Sequence, residues 1–356
     1  MSQRKKIRLI LIAPAEPLIG GQAVQAQRLV SKFKLEDELD VRFLPINPQF
    51  LAPLQKIKFV RTIVTTFRYL IGLLFSIPSA DIVHVFSASF FSFYLSPAPA
   101  ILIAKLFRKR VVLNYRSGYL EKHLTEWPAA IRFMKMADEI VVPSGYLVDV
   151  FSKFGIEARS VVNFVDTENF EFRERTVLEP KFLSNRSFEG LYNVACVIRA
   201  FSKIKPEFPE ATLSLAGNGI LEKELRDLVD ELRLEGVTFL GPLNQKEMAK
   251  AYWDCDLLLN SPNIDNMPNS LIEAFASGIP IVSTNAGGIP YIVDNGRTGL
   301  LVEVGDCEKL AGESMRILRN PDLARQIISN AKEESLKYEW TEVRSQWLSL
   351  YRELAN

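Results

Sequence analysis

The chain has 356 residues, 48% hydrophobic and 24% charged, with a formal net charge of +1. That length holds two domains of ordinary size, the composition is that of a soluble globular protein, and the near-zero charge excludes bulk electrostatic binding of nucleic acid. Cys196, Cys255 and Cys307 are scattered without metal-like spacing and read as buried free thiols in a reducing compartment.

The N-terminal stretch MSQRKKIRLILIAPA is basic and then apolar. Its apolar run has only a strand's length and Pro14 and Pro17 follow, which argues against a signal peptide. No uninterrupted apolar stretch reaches membrane-spanning length. Ile7 to Ala13 reads as the first buried strand. Gly20 and Gly21 then turn the chain into a helix from about Gln22, an order that offers backbone amides to an anion. Val41 to Ile46 is the second strand.

Between Leu51 and Pro78, Lys56, Lys58, Arg61 and Arg68 are interleaved with apolar residues at helical spacing. Such a helix either lies on an anionic membrane, where it would meet a lipid-linked acceptor, or packs on a core with its cations solvated. Asp81 to Phe86 is a strand enclosing His84, and an apolar helix follows over roughly Phe90 to Phe107. The strand 111–115 leads into a loop, 116–123, that holds Arg116 and His123. Arg116 either offsets phosphate or acceptor charge or pairs with Glu121. Residues 137–156 read as strand, serine cap and helix.

Glu171 to Glu179 is charged and without periodicity, which places a domain junction between about Ala158 and Glu179. The domains expected are 1–165 and 166–337. The second half alternates strand and helix again: 181–186, 192–204, 212–217, 220–232, 237–241 and 245–253. Alternation of this kind predicts a second doubly wound parallel sheet. Two helices capped by Asp306 and Asn320 precede a last amphipathic helix.

The most informative stretch runs from Leu257 to Val302. A strand, 257–260, enters a polar loop, 261–268; a helix follows from Asn269 to Ala276, ended by Gly278, and then a strand from Pro280 to Ser283. Asn269 and Ser270 put backbone N–H groups at a helix start, where the dipole favours phosphate. Glu273, one turn inside, suits two ribose hydroxyls. Gly287 and Gly288 permit close backbone approach to a ligand.

Asp265 and Glu273, with PNSLIEAFASGIPIVSTNAGGIP around them, resemble the donor-binding region of retaining GT-B glycosyltransferases, the glycosyl transferases group 1 family (family 4). The hallmark there is Glu, seven residues, Glu. The resemblance implies an α/β GT-B fold, two doubly wound Rossmann-like parallel-sheet domains facing across a cleft, and the return of a terminal helix, 338–356, to the first of them. It implies transfer of a sugar from a nucleotide-sugar, such as a UDP- or GDP-sugar, to an acceptor hydroxyl with retention. No metal or other cofactor is required. Arg186 and the amides from Asn269 to Leu271 would hold the diphosphate, and Glu273 the ribose. Asp265 and the backbone of Asn266, Met267 and Pro268 would meet the sugar ring. Catalysis would rest on Asp265, Glu273 and Arg186. Gly21 and Gly217 fall on the donor side, and Gly20, Arg116 and His84 on the acceptor side. The partners implied are a nucleotide-sugar and a glycan or lipid-linked acceptor in polysaccharide or glycolipid assembly. The location is cytoplasmic, with peripheral membrane contact through 52–78.

Four positions depart from the family pattern. Asp265 replaces a Glu, Tyr192 a Lys, Arg116 a His, and Tyr291 a Glu. They leave open a GT-B protein of weak or no activity that binds nucleotide or scaffolds a partner. A nucleotide-sugar epimerase needs His and acidic residues at the sugar, and the chain has only two histidines.

Overall fold

The computed structural model describes residues 6–15, 21–48, 58–166 and 169–356. Gly20, Pro17 and Lys56 lie outside the described residues. The chain divides into two compact units, 1–162 with 344–356, and 163–343.

The first unit is built on β1 (Ile7–Ala13), β2 (Leu39–Pro45), β3 (Ile82–Phe86), β4 (Arg110–Asn114), β5 (Glu139–Val142) and β6 (Arg159–Ser160). They form one sheet in the order β2-β1-β3-β4-β5-β6, with every pairing parallel. β3 is buried throughout, as expected of a strand covered on both faces. Ile10, Ile12, Val83, Val85, Val111 and Leu113 point into one core. The helix Gly145–Lys153 starts where Ser144 accepts the N–H of Leu147, the serine cap read from the sequence.

The single helix expected over 90–107 is two, Phe91–Leu95 and Pro97–Leu106. Pro97 cannot donate to the preceding turn, so it ends one helix and starts the next. One apolar segment, interrupted by Arg61 and Arg68, bears on membrane spanning. Residues 61–79 of the helical segment are long and apolar enough by length and composition, with a mean hydropathy of 1.3.

The second unit carries β7 (Lys181–Ser184), β8 (Thr212–Ala216), β9 (Val237–Gly241), β10 (Leu257–Asn260), β11 (Ile281–Thr284) and β12 (Leu300–Val302). The order is β12-β11-β10-β7-β8-β9, again all parallel. Asp306 and Asn320 cap their helices as read from the sequence, accepting the N–H groups of Lys309 and Leu323. β7, first in sequence, lies between β10 and β8. The chain therefore winds away from it in both directions, and the loops after β7 and β10 part there. In such sheets the crevice at the strands' carboxyl ends is where ligands bind.

The reading of three free thiols is corrected. Cys196 and Cys307 are joined in a disulfide, and only Cys255 is free and buried. The two partners are 111 residues apart in sequence but 5.2 Å apart at Cα, because the helices Val194–Ile204 and Cys307–Arg319 pack together.

Candidate functional site

Where β7 and β10 diverge, their following loops bring Arg186 against Asp265. A guanidinium Nη2 pairs with one carboxylate oxygen, and Nη1 lies 3.4 Å from the Ser270 hydroxyl. The other Asp265 oxygen accepts the N–H of Asn266 at 2.8 Å. Both side chains are about nine-tenths buried, and the Arg186 Nε is buried with no hydrogen-bond partner among the described residues. The face of Tyr192 carries the guanidinium, 4.1 Å from the ring centroid. Tyr192 thus supports the Arg186 cation through its ring face.

The helix Asn269–Ala276 begins without a side-chain cap, since Pro268 occupies that position. Leu271 N–H turns back to the Pro268 carbonyl at 3.2 Å, so this one of the expected phosphate donors is already engaged. The amides of Asn269 and Ser270 form the positive end of the helix dipole. Asn269 is fixed from behind, its Oδ1 accepting from Asn163 Nδ2 at 2.9 Å. The same Asn163 amide donates to the Met267 carbonyl at 3.1 Å. Met267 and Leu271 bury their side chains, leaving only backbone to face a ligand.

Glu273 sits one turn into the helix and is 8% exposed. The Tyr252 hydroxyl donates to its Oε2 at 3.1 Å and lies 3.2 Å from the Ser270 carbonyl. Asn185 Nδ2 donates in turn to the Tyr252 oxygen at 2.7 Å. Burial first, and then neighbouring Glu273, push the Tyr252 phenol well above its ordinary range, so it remains a neutral donor. Sequence reasoning missed both Tyr252 and Asn185. The available signal was Asn185 directly before Arg186 at a strand end.

The far end of this helix is tied down by Arg175. Its guanidinium donates to Asp256 at 3.1 Å and to the carbonyls of Ser277, Gly278, Tyr252 and Cys255. Such a pattern is structural: every donor is spent on the chain itself.

Two glycine readings change. Gly287 has φ +54°, and a Cβ on Gly287 or Gly288 would collide with the carbonyl oxygens of Asp265 and Asn266 respectively. Gly288 N–H donates to the Asp265 carbonyl at 2.9 Å. A close approach that requires glycine is therefore to the 265–266 backbone. Gly217 likewise packs on the Arg186 carbonyl, with φ +147°. It shapes the Arg186 loop from behind.

In the first unit the residues expected on the acceptor side fare differently. His84 is wholly buried in β3. Its Nδ1 lies 2.7 Å from the Tyr351 hydroxyl and its Nε2 3.0 Å from the Asn114 amide, between the rings of Phe86 and Trp347. Burial, and secondarily Arg116, pull its pKa down to about 3. It is a neutral core residue, and its placement on an open acceptor face is corrected: both ring nitrogens are spent. Arg116 donates to Asn114 Oδ1 at 3.3 Å and stands over the Phe86 ring, while Glu121 takes Lys153. Burial lowers its guanidinium to about 9. Gly21 opens the helix Gly21–Phe33, after β1.

Residues 166–334 match the family model for glycosyl transferases group 1. The sulfoquinovosyl transferase SQD2 of Arabidopsis thaliana is 27% identical over 296 residues, 76% of this chain and 56% of that protein. The N-acetyl-alpha-D-glucosaminyl L-malate synthase of Bacillus anthracis is 30% identical over 206 residues, 55% of this chain and 53% of that one. The chain thus spans about half the length of these curated relatives. Among solved structures, Anabaena HepE in complex with UDP and glucose superposes with a TM-score of 0.78 at 15% identity, covering 98% of this chain and 100% of that one. That likeness shows the fold, two parallel-sheet α/β domains of the GT-B type. The residues matched by the family model include Arg186, Asp265 and Glu273.

Proposed function

We propose that this protein is a glycosyltransferase that moves a sugar from a nucleoside-diphosphate sugar to an acceptor hydroxyl with retention of configuration and without a metal. The observation that carries the reading is one constellation at the β7–β10 switch point. Arg186, the uncapped start of the 269–276 helix and Glu273 one turn deeper are held by Asn185, Tyr252 and Asn163. A cation and a helix dipole suit a diphosphate, and a fixed carboxylate suits a ribose diol.

On this reading catalysis is electrostatic and positional. Arg186 and the Asn269 and Ser270 amides take up charge as the sugar–phosphate bond breaks. The departing diphosphate receives the acceptor's proton on the same face, so no protein base is needed. Asp265, with the Asn266–Pro268 backbone, orients the sugar ring once the diphosphate has drawn Arg186 from it. The acceptor is a glycan or lipid-linked hydroxyl, and the site of action is cytoplasmic, at the inner face of the membrane for a lipid-linked acceptor. The SQD2 and malate synthase names support sugar transfer, and UDP in the HepE complex supports the donor class.

A thermal-shift screen of nucleoside diphosphates, followed by turnover of the best sugar conjugate with and without acceptor, tests the proposal. Acceptor-dependent release of the nucleotide supports it. Stabilisation by nucleotide with no turnover across a broad donor and acceptor panel would instead assign a nucleotide-binding, non-catalytic role. The Arg186–Asp265 pair and Tyr192 in the usual Lys position favour that second reading.

A further inference from the structure

The helix Lys58–Ser76 is apolar on two sides, and only one of them is packed. Tyr69, Leu73 and, just beyond, Ile77 enter the core of the first unit, and the Tyr69 hydroxyl donates to the Ser96 carbonyl at 3.0 Å. On the opposite side Ile63 is 69% exposed, Phe67 64% and Phe75 82%, with Ile71 and Leu74 between them also exposed. The spacing 63, 67, 71, 74, 75 is one helical stripe about 18 Å long. The neighbouring helix Pro97–Leu106 contacts this one and also exposes Leu102, Leu106 and, just past its end, Phe107. Exposed apolar patches of this extent mark interaction surfaces.

Charge selects the occupant. Residues 41–120 hold ten Lys and Arg against a single acid, Asp81, in a chain whose net charge is +1. Asp81 is taken by Arg8, and Asp138 neutralises Lys105 and Arg110. Arg61, Arg68 and Arg108 are exposed and have no acidic partner among the described residues. A second copy is a poor fit. Two such faces brought together about a two-fold axis would oppose arginine to arginine, with no acid on either helix.

We infer that this face docks on an anionic lipid surface. The apolar stripe enters the headgroup–acyl boundary while Arg61, Arg68 and Arg108 meet lipid phosphates. The helix lies on the bilayer and does not cross it, because its other side is committed to the core through Tyr69, Leu73 and Ile77. Lipid binding of this kind is independent of the nucleotide reading and holds or fails without it.

The test is co-sedimentation of the full chain with vesicles of phosphatidylcholine alone and of equal parts phosphatidylcholine and phosphatidylglycerol. The expected result is binding to the mixed vesicles, weakened by salt, and little to the neutral ones. Arg61→Gln and Arg68→Gln should each lower the affinity about fivefold. Phe67→Ser with Phe75→Ser should lower it at least about tenfold on the same vesicles, with the unfolding midpoint unchanged because both rings are solvent-exposed. Wild-type protein left in the supernatant of the mixed vesicles would overturn the inference, as would equal sedimentation of all variants. Sedimentation equilibrium supplies the other arm: a dimer that the double serine variant dissolves, in protein that ignores vesicles, would make the face a self-interface and overturn it too.

Discussion

The two sheets share a winding pattern but treat their polar residues in opposite ways. Each has its first strand inside the sheet, between strands reached in opposite directions. In the second unit the loops beyond β7 and β10 and the helix that follows carry the charged groups: Arg186 and Asp265 are engaged with each other, and Glu273 is held by a neutral phenol. In the first unit His84 lies in the middle of β3, two residues short of the strand's end, and the packing around it consumes its chemistry. Topology therefore chooses where a site can be, and position along the strand decides whether a polar group there stays usable.

The comparison breaks most visibly if the scaffold behind the second site is removed. Arg175→Ala should cost about 3–5 kcal/mol, since it leaves the carbonyls of Ser277, Gly278, Tyr252 and Cys255 without this donor and Asp256 with only Arg173 and the Glu179 N–H. Urea unfolding reads this directly. Next is Glu273→Ala. The parent should gain about 2.7 kcal/mol from a nucleoside diphosphate at about a hundred times its Kd, and the variant should lose that gain while folding normally. An unchanged ligand response would remove the ribose assignment.

The first unit makes a prediction of similar size through pH. His84 has its folded pKa depressed to about 3, against an ordinary value near 6.5 in the unfolded chain. Its contribution is complete above about pH 6.5 and is lost as pH falls toward the folded value. At pH 5 the loss is about 2 kcal/mol. His123, lowered by burial to about 4, acts in the same direction. His84→Gln should flatten the pH dependence of unfolding between about pH 6.5 and 5; a profile as steep as the parent's would count against a neutral His84. Tyr252→Phe should cost about 1–2 kcal/mol of nucleotide-dependent stabilisation, because Glu273 and Asn185 lose their common partner. The smallest effect is Asp265→Asn. It should tighten a bare nucleoside diphosphate by about fivefold, by releasing Arg186, while lowering turnover. Looser binding of the bare nucleotide would show that the carboxylate helps to position Arg186 and does not compete for it.

Much of this could be read before any coordinates. Apolar runs such as Leu257–Asn260 and Ile281–Thr284, bounded by Gly and Pro, are strands because parallel sheets bury both faces. Ser144, Asp306 and Asn320 cap where local chemistry demands. What escaped was the pairing of particular side chains far apart in the chain. Arg186 and Asp265 are 79 positions apart, and their pairing follows only from the strand order. Cys196 and Cys307 meet only because two helices share one side of a sheet. The Gly287–Gly288 pair was legible as a close approach, but what approaches it is a neighbouring loop, which only tertiary structure reveals.

The Arg186–Asp265 pair also bears on discrimination. A site whose cation is already matched exerts little long-range pull on passing anions. Inorganic phosphate would have to supplant an aspartate that is covalently part of the molecule and so present at high local concentration. A visitor bringing a nucleoside has a second handle, since its ribose can engage Glu273 while its phosphates contend for Arg186. On the proposed reading, admission would then depend on two attachments made together, and the carboxylate that guards the entrance would become the hand that steadies the sugar.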